Sequence, residues 1–249
     1  MKTSILYFVS IFLFSGFVIT DGFLAEQKKH ERVKLAYKDK EAILLAKLKE
    51  HKLDFSTVNI LITVFKSEQE LTIYVKNKNE KKYQQLATYA ICASSGELGP
   101  KRKQGDGQVP EGFYYIEKYN PTSSYYLSLG VSYPNQSDKI KSTAANLGGD
   151  IFIHGECVTI GCMPMTNDKI KEIYIYAIQA YQNGQTKIPV YIFPFKFTET
   201  TVASYKEHYK NNKALLSFWD NLKSGYDTFN ATQQALNVTV DKAGNYNFK

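Results

Sequence analysis

Arginine is nearly absent from this sequence. Only Arg32 and Arg102 occur, so the formal net charge of +7 is carried by lysines. Those lysines are scattered and form no basic block, and no nucleic-acid-binding motif accompanies them, so the charge marks at most a general affinity for anionic partners. Tryptophan occurs once, at Trp219, against 19 Tyr and 15 Phe, an aromatic balance suited to a β-rich core. No sequence period of about 20–50 residues recurs, which excludes a solenoid. Cysteine is sparse and odd in number: Cys92, Cys157 and Cys162.

No apolar run reaches the roughly 20 residues that a spanning helix needs. The longest, Ile5 to Ile19, follows the short basic start Met1-Lys2-Thr3 and is closed by Thr20-Asp21-Gly22. That three-part shape predicts a secretory signal over 1–22, cleaved after about residue 22 to 25. An uncleaved N-terminal anchor is the alternative and the only expected tie to a membrane. No Cys follows the run, so a lipoprotein anchor is excluded. Export places the remainder in the periplasm or cell envelope. In an oxidising compartment, three cysteines imply either one bridge plus one free thiol or three free thiols.

The 43% hydrophobic content can fill a core, and 22% charged residues match an ordinary globular chain. Residues 23–56 read as an amphipathic helical segment with a break near Tyr37. Strands are expected at Ile60–Phe65 and Leu71–Val75 as a hairpin, then at Leu86–Cys92, Gly112–Ile116, Ile151–His154 and Ile188–Phe193. A helix capped by Thr166 or Asn167 lies between the last two, its apolar face running from Ile170 to Tyr181. Beyond Thr198 a helical pattern returns, stopped by Lys223-Ser224-Gly225, with a strand-like piece at Leu236–Val240 before a Gly244-Asn245 turn. The fold class is α+β: a mostly-β catalytic domain over 57–198 with packed helices, and a helical C-terminal extension over 199–249.

The chemistry concentrates in Ile151-Phe152-Ile153-His154-Gly155-Glu156-Cys157-Val158-Thr159-Ile160-Gly161-Cys162-Met163. A strand ends on a His, and a Gly-Cys pair follows in a loop leading towards a helix. Attack on a peptide carbonyl needs a thiolate, a base and oxyanion donors. Cys162 fits the first role and His154 the second, holding the proton and lowering the thiol pKa. The N–H groups of Gly161 and Cys162 fit the third. From the residues alone, a core Cys pair beside a satisfied His stays open. Zinc is disfavoured, because two Cys and one His at irregular spacing make no closed tetrahedral set. No metal and no cofactor are expected.

These residues resemble the L,D-transpeptidase (YkuD-like) catalytic motif, and within it the YafK-like branch, with its short His-to-Cys spacing and Ile-Gly-Cys-x-x-Met. The stretch Gly99-Pro100-Lys101-Arg102-Lys103-Gln104-Gly105-Asp106-Gly107-Gln108-Val109-Pro110-Glu111-Gly112-Phe113-Tyr114 is similar to the family's Gly-Asp…Pro-Glu-Gly-x-Tyr element. Tyr133-Pro134-Asn135 and Leu147-Gly148-Gly149-Asp150 fit the branch as well. The resemblance implies a cysteine enzyme acting on the tetrapeptide stems of peptidoglycan. A thioester on Cys162 would be resolved by an amine, giving a cross-link, or by water. Resolution by water would make the enzyme an L,D-carboxypeptidase or a releaser of a stem-linked molecule. A non-catalytic wall-binding module is the rival from another class. The resemblance implies His154 as base, Gly161 as oxyanion donor and the Gly155 carbonyl as orienter of the imidazole. It puts Lys101, Arg102, Tyr133 and Thr159 on the substrate side and implies a monomer. Two departures stand out: Ile160 occupies the place of the family's second His, and Pro164 that of an Arg after the Cys, so carboxylate recognition is moved to Lys101 or Arg102. If Cys162 is the nucleophile, Cys92 and Cys157 are left to pair, which requires Cα atoms within about 7 Å.

Overall fold

A computed structural model describes residues 22–248. The predicted signal and its cleavage site lie outside the described residues. Ten strands and six helices are found among them.

The centre is an eight-stranded mixed sheet. It comprises β1 (Val58–Phe65), β2 (Glu70–Asn77), β3 (Gln84–Ala90), β4 (Gly112–Asn120), β5 (Ser128–Val131), β6 (Ile151–His154), β7 (Met163–Pro164) and β8 (Ile188–Phe193). Their order is β3-β2-β1-β8-β4-β5-β6-β7. The β1–β8 and β6–β7 pairs are parallel and the others antiparallel.

Side-chain alternation makes the sheet two-faced. Ile60, Ile62 and Val64 of β1 and Ile188, Val190 and Ile192 of β8 join one core. Leu61 and Phe65, with Tyr191 and Phe193, join a second core on the opposite face. The first is covered by α2 (Glu31–Glu50) and α4 (Asn167–Gln182), with α1 (Gly22–Lys29) beside them. Helix α4 is buried nearly all round, from Ile173 to Ala180, because it lies between the sheet and α2. In that seam Glu172 is buried with Lys40 Nζ at 3.2 Å and the Tyr89 hydroxyl at 3.0 Å. The second core is covered by α6 (Lys213–Thr232), by the half-buried Tyr205 and Val202 of α5 (Glu199–His208), and by the hairpin β9 (Val238–Val240)–β10 (Tyr246–Phe248).

Several expectations are corrected. The N-terminal helix breaks at His30, which holds an extended conformation, and not near Tyr37. Tyr37 sits inside α2, buried, its hydroxyl accepting from Gln179 Nε2 at 2.8 Å. The C-terminal helical run is two helices, and the second passes straight through Ser224-Gly225. A Cβ at Gly225 would lie 2.5 Å from the rings of Phe113 and Phe248, so this glycine admits two aromatic rings to the helix surface and does not end it. Strand β5 and the short helix α3 (Gln136–Lys141), capped by Asn135, were not expected.

Candidate active site

Strand β6 carries His154 at its C-terminal end, and β7 begins one residue after Cys162. The two run parallel with Ile153 opposite Met163 and His154 opposite Pro164. Continuing that register puts Cys162 level with Phe152. His154 is two residues further along the same strand, where side chains return to the same face.

His154 is buried, and its Nδ1 lies 2.5 Å from the Gly155 carbonyl. A carbonyl can only accept, so Nδ1 carries the proton and Nε2 is left with a lone pair. Gly155 is required by space: a Cβ there would lie 2.5 Å from Asn167 Oδ1 and 3.0 Å from the Tyr125 carbonyl. Its N–H donates to Leu127 O at 3.1 Å. The half-exposed Tyr125 ring lies against the imidazole, centroids 4.7 Å apart. At the start of α4, Thr166 caps the helix through Lys169 N, and Asn167 Oδ1 accepts from Glu156 N at 2.9 Å, fixing the loop after His154.

Gly161 has a left-handed φ of 129°, and a Cβ on it would approach Gln108 O to 3.0 Å. The N–H groups of Gly161 and Cys162 converge on one acceptor, the Thr159 hydroxyl, at 3.2 and 2.8 Å. The same hydroxyl donates to Cys162 O at 2.9 Å. The convergent donor pair therefore exists, with a side-chain oxygen already between its arms.

The thiol reads differently from the expectation of a lowered pKa. Burial pushes Cys162 up, the Phe152 N–H pulls it down, Asp150 raises it and the Lys101 charge lowers it, with a net upward direction. Burial also pulls His154 below its ordinary value, against the Gly155 carbonyl and Glu156. The pair is thus neutral thiol and neutral imidazole at rest. Sγ contacts the Asp150 carbonyl at 3.6 Å. Catalytic hydrogen bonds of a free enzyme often close only when substrate binds.

Lys101 and Arg102 do not project as free cations. Lys101 is buried and donates to Asp106 Oδ1 at 2.6 Å and Lys103 O at 2.9 Å. Burial works to raise the Asp106 carboxyl, but Lys101 and the N–H groups of Arg102, Lys103 and Gln108 hold it below its usual range. Arg102 pairs at 2.8 Å with buried Asp138, which also accepts from the Tyr114 hydroxyl. There desolvation outweighs Arg102 and lifts Asp138 to about 6. The Tyr133 hydroxyl donates towards Lys101 O and Leu147 O, both at 3.3 Å. These residues brace the loop beside Cys162, and only the field of Lys101 reaches the sulfur.

Cys162 opens onto a cleft walled by the β1–β2 turn, the 93–98 loop and Tyr205 of α5. Lys66 lines it, yet its ammonium is consumed by Glu97 O, Gly99 O, Val109 O and Glu111 Oε1, all within 3.1 Å. Glu111, fully buried, also accepts from Gly99 N and Trp219 Nε1, so one carboxylate ties the cleft loop to α6. Cys92 and Cys157 form a disulfide with Cα atoms 5.4 Å apart, the pairing expected from elimination of Cys162. The sequence singled out neither Tyr125, Asn167 as a loop clamp, Glu111 nor Tyr205. Asn167 carried a signal as an alternative helix cap, and Glu111 as the Glu of the Pro-Glu-Gly element, without a stated role. Among the described residues no group of three metal-ligating side chains converges.

The model of the L,D-transpeptidase catalytic domain (YkuD) matches residues 59–192, and the chain belongs to that family. It is 39% identical over 194 residues to YafK of Escherichia coli strain K12, a protein named provisionally as an L,D-transpeptidase, covering 77% of this chain and 75% of the relative. Among solved structures it is similar to the helical cell shape determining protein Pgp2 from Campylobacter jejuni, at 17% identity, TM-score 0.43, and 78% and 79% coverage of the two chains. Bd1075 of Bdellovibrio bacteriovorus gives 18%, 0.39, and 75% and 76%.

Proposed function

We propose that this chain is an exported cysteine L,D-transpeptidase acting on the tetrapeptide stems of peptidoglycan. The observation that carries the reading is the joint placement of His154 and Cys162 at the ends of adjacent parallel strands, with the imidazole held through the Gly155 carbonyl and the thiol at a cleft. As Sγ bonds to the carbonyl carbon after the L-centre of the third residue, its proton passes to His154 Nε2. The oxygen becomes an oxyanion and takes the Gly161 and Cys162 N–H donors from Thr159. Collapse breaks the C–N bond, His154 returns the proton to the departing D-Ala amine, and a thioester remains on Cys162. An amine or water, deprotonated by His154, then attacks the thioester and frees the thiol. Amine gives a cross-link or exchange product and water gives a tripeptide.

Incubation with purified tetrapeptide muropeptides, read by intact-mass spectrometry, tests the scheme. A Cys162 acyl-enzyme and loss of D-Ala are expected from the native protein. Both should be absent from Cys162→Ala and lowered by orders of magnitude in His154→Ala. Native protein that binds muropeptides but never forms the adduct would support a wall-binding module instead.

A further inference from the structure

The family match ends at residue 192, yet the cleft at Cys162 is completed by a residue beyond it. Helix α5 has no fully buried side chain and packs on the second core only through the half-buried Val202, Tyr205 and, at its C-cap, Tyr209. Its Tyr205 reaches the cleft. The ring stacks on Phe195, centroids 4.3 Å apart at 22°, and Phe195 is held edge-on by Trp219 at 5.2 Å. The Tyr205 hydroxyl lies 2.7 Å from Ser67 Oγ, so α5 is joined to the β1–β2 turn along the cleft margin. Both groups remain reachable: Ser67 is exposed and Tyr205 half-buried.

The polar character of the cleft narrows what it recognises. Its one lysine has no free N–H, and Lys101 and Arg102 are engaged with Asp106 and Asp138. What remains is one carboxylate, Glu97, with the hydroxyls of Ser67, Ser94 and Tyr205 and the Gln69 amide. Such groups pair with backbone amides. We infer that Tyr205 is a specificity-determining residue of the acyl-donor site, contacting the peptide stem with its hydroxyl and ring edge, so that the C-terminal extension supplies part of the substrate cleft. This rests on the transpeptidase reading above. The step it serves is unchanged, because Tyr205 binds the donor and exchanges no proton.

The test is acylation of the full-length protein by a tetrapeptide muropeptide, followed by mass spectrometry over a range of donor concentrations. Alkylation of Cys162 by iodoacetamide is measured in parallel. Tyr205→Phe keeps the stack and removes the hydroxyl, and its half-saturation concentration should rise roughly three- to tenfold, the worth of one neutral hydrogen bond. Tyr205→Ala should raise it about tenfold or more by losing the ring as well. In both, the plateau rate and the iodoacetamide rate should stay within about twofold of the native values, since the hydroxyl donates to substrate and not to the thiol. Unchanged half-saturation in both variants overturns the inference alone. So does a matching fall in the iodoacetamide rate, because Tyr205 would then be acting on the position of Cys162. Native protein that takes iodoacetamide but no acyl group sinks the reading of function, and the inference with it.

Discussion

His154 and Cys162 favour their uncharged forms because His154 is buried and Cys162 partly so, and desolvation disfavours either ion. The imidazole remains a competent base to lower pH than a free histidine, since its neutral form is the favoured one. The acid limb of kcat/KM should therefore fall below the ordinary value of about 6.5 and disappear in His154→Ala. On the other side, the free enzyme's reaction with iodoacetamide should still be rising at pH about 8.5, the usual thiol value. A rate already flat at pH 7 would show a preformed thiolate and reverse this assignment. The positions of the proposed nucleophile and base were legible in the sequence as a His-Gly and a Gly-Cys flanking a loop. The charge state was not, because it depends on how deeply the ends of β6 and β7 are covered. The positions of Lys101 and Arg102 were equally legible. Their partners, Asp106 and Asp138, were not, since one lies in what reads as a simple turn and the other in an unforeseen helix.

At the scale of elements, the disulfide joins the loop after β3, which walls the cleft, to the loop between β6 and β7, which carries the motif. It closes a sequence separation of 65 residues. A constraint of that size restricts the unfolded chain, and replacing both cysteines by Ser should cost about 2–4 kcal/mol. Urea denaturation of Cys92→Ser/Cys157→Ser against the native protein checks this, and coincident midpoints would remove the bridge from the account of stability. Strands with clean two-residue alternation, such as β1 and β8, were readable at sequence level. Strand β5 was not, because Ser128-Leu129-Gly130-Val131 is short and buried on both sides, so its pattern carries no alternation. The stop expected at Gly225 failed for a related reason. Glycine has two uses, ending a helix or admitting a neighbour, and only the rings of Phe113 and Phe248 decide between them.

At the scale of the whole molecule, the sheet has two greasy faces and needs both covers. Residues 31–50 supply part of one, and residues 199–248 supply most of the other through Phe218, Trp219, Leu222, Phe229 and Tyr246. The C-terminal segment is therefore part of the same body as the sheet, bonded to it through Trp219 and Glu111. A chain ended after Thr198 should expose Leu61, Phe65, Phe113, Tyr191 and Phe193 together, a patch large enough to drive association. Such a chain should bind a hydrophobic dye strongly and lose its near-ultraviolet circular dichroism. A truncated protein with native spectra and no dye binding would show the extension to be dispensable for folding. The composition shift after residue 198 was visible in the sequence. Its structural necessity was not, because the apolar residues of β4 and β8 do not announce which of their two faces lacks a cover.

The hydroxyl of Thr159 gives the proposed reaction its discrimination between states. Because it already satisfies the N–H groups of Gly161 and Cys162, an incoming neutral carbonyl would exchange one uncharged acceptor for another and gain little by doing so. Only when that oxygen acquires negative charge does the exchange become favourable, since bonds to an ion are about twice as strong. The resting loop thus acts as a threshold, indifferent to the bound substrate and responsive to the transition state, which is where binding energy accelerates a reaction.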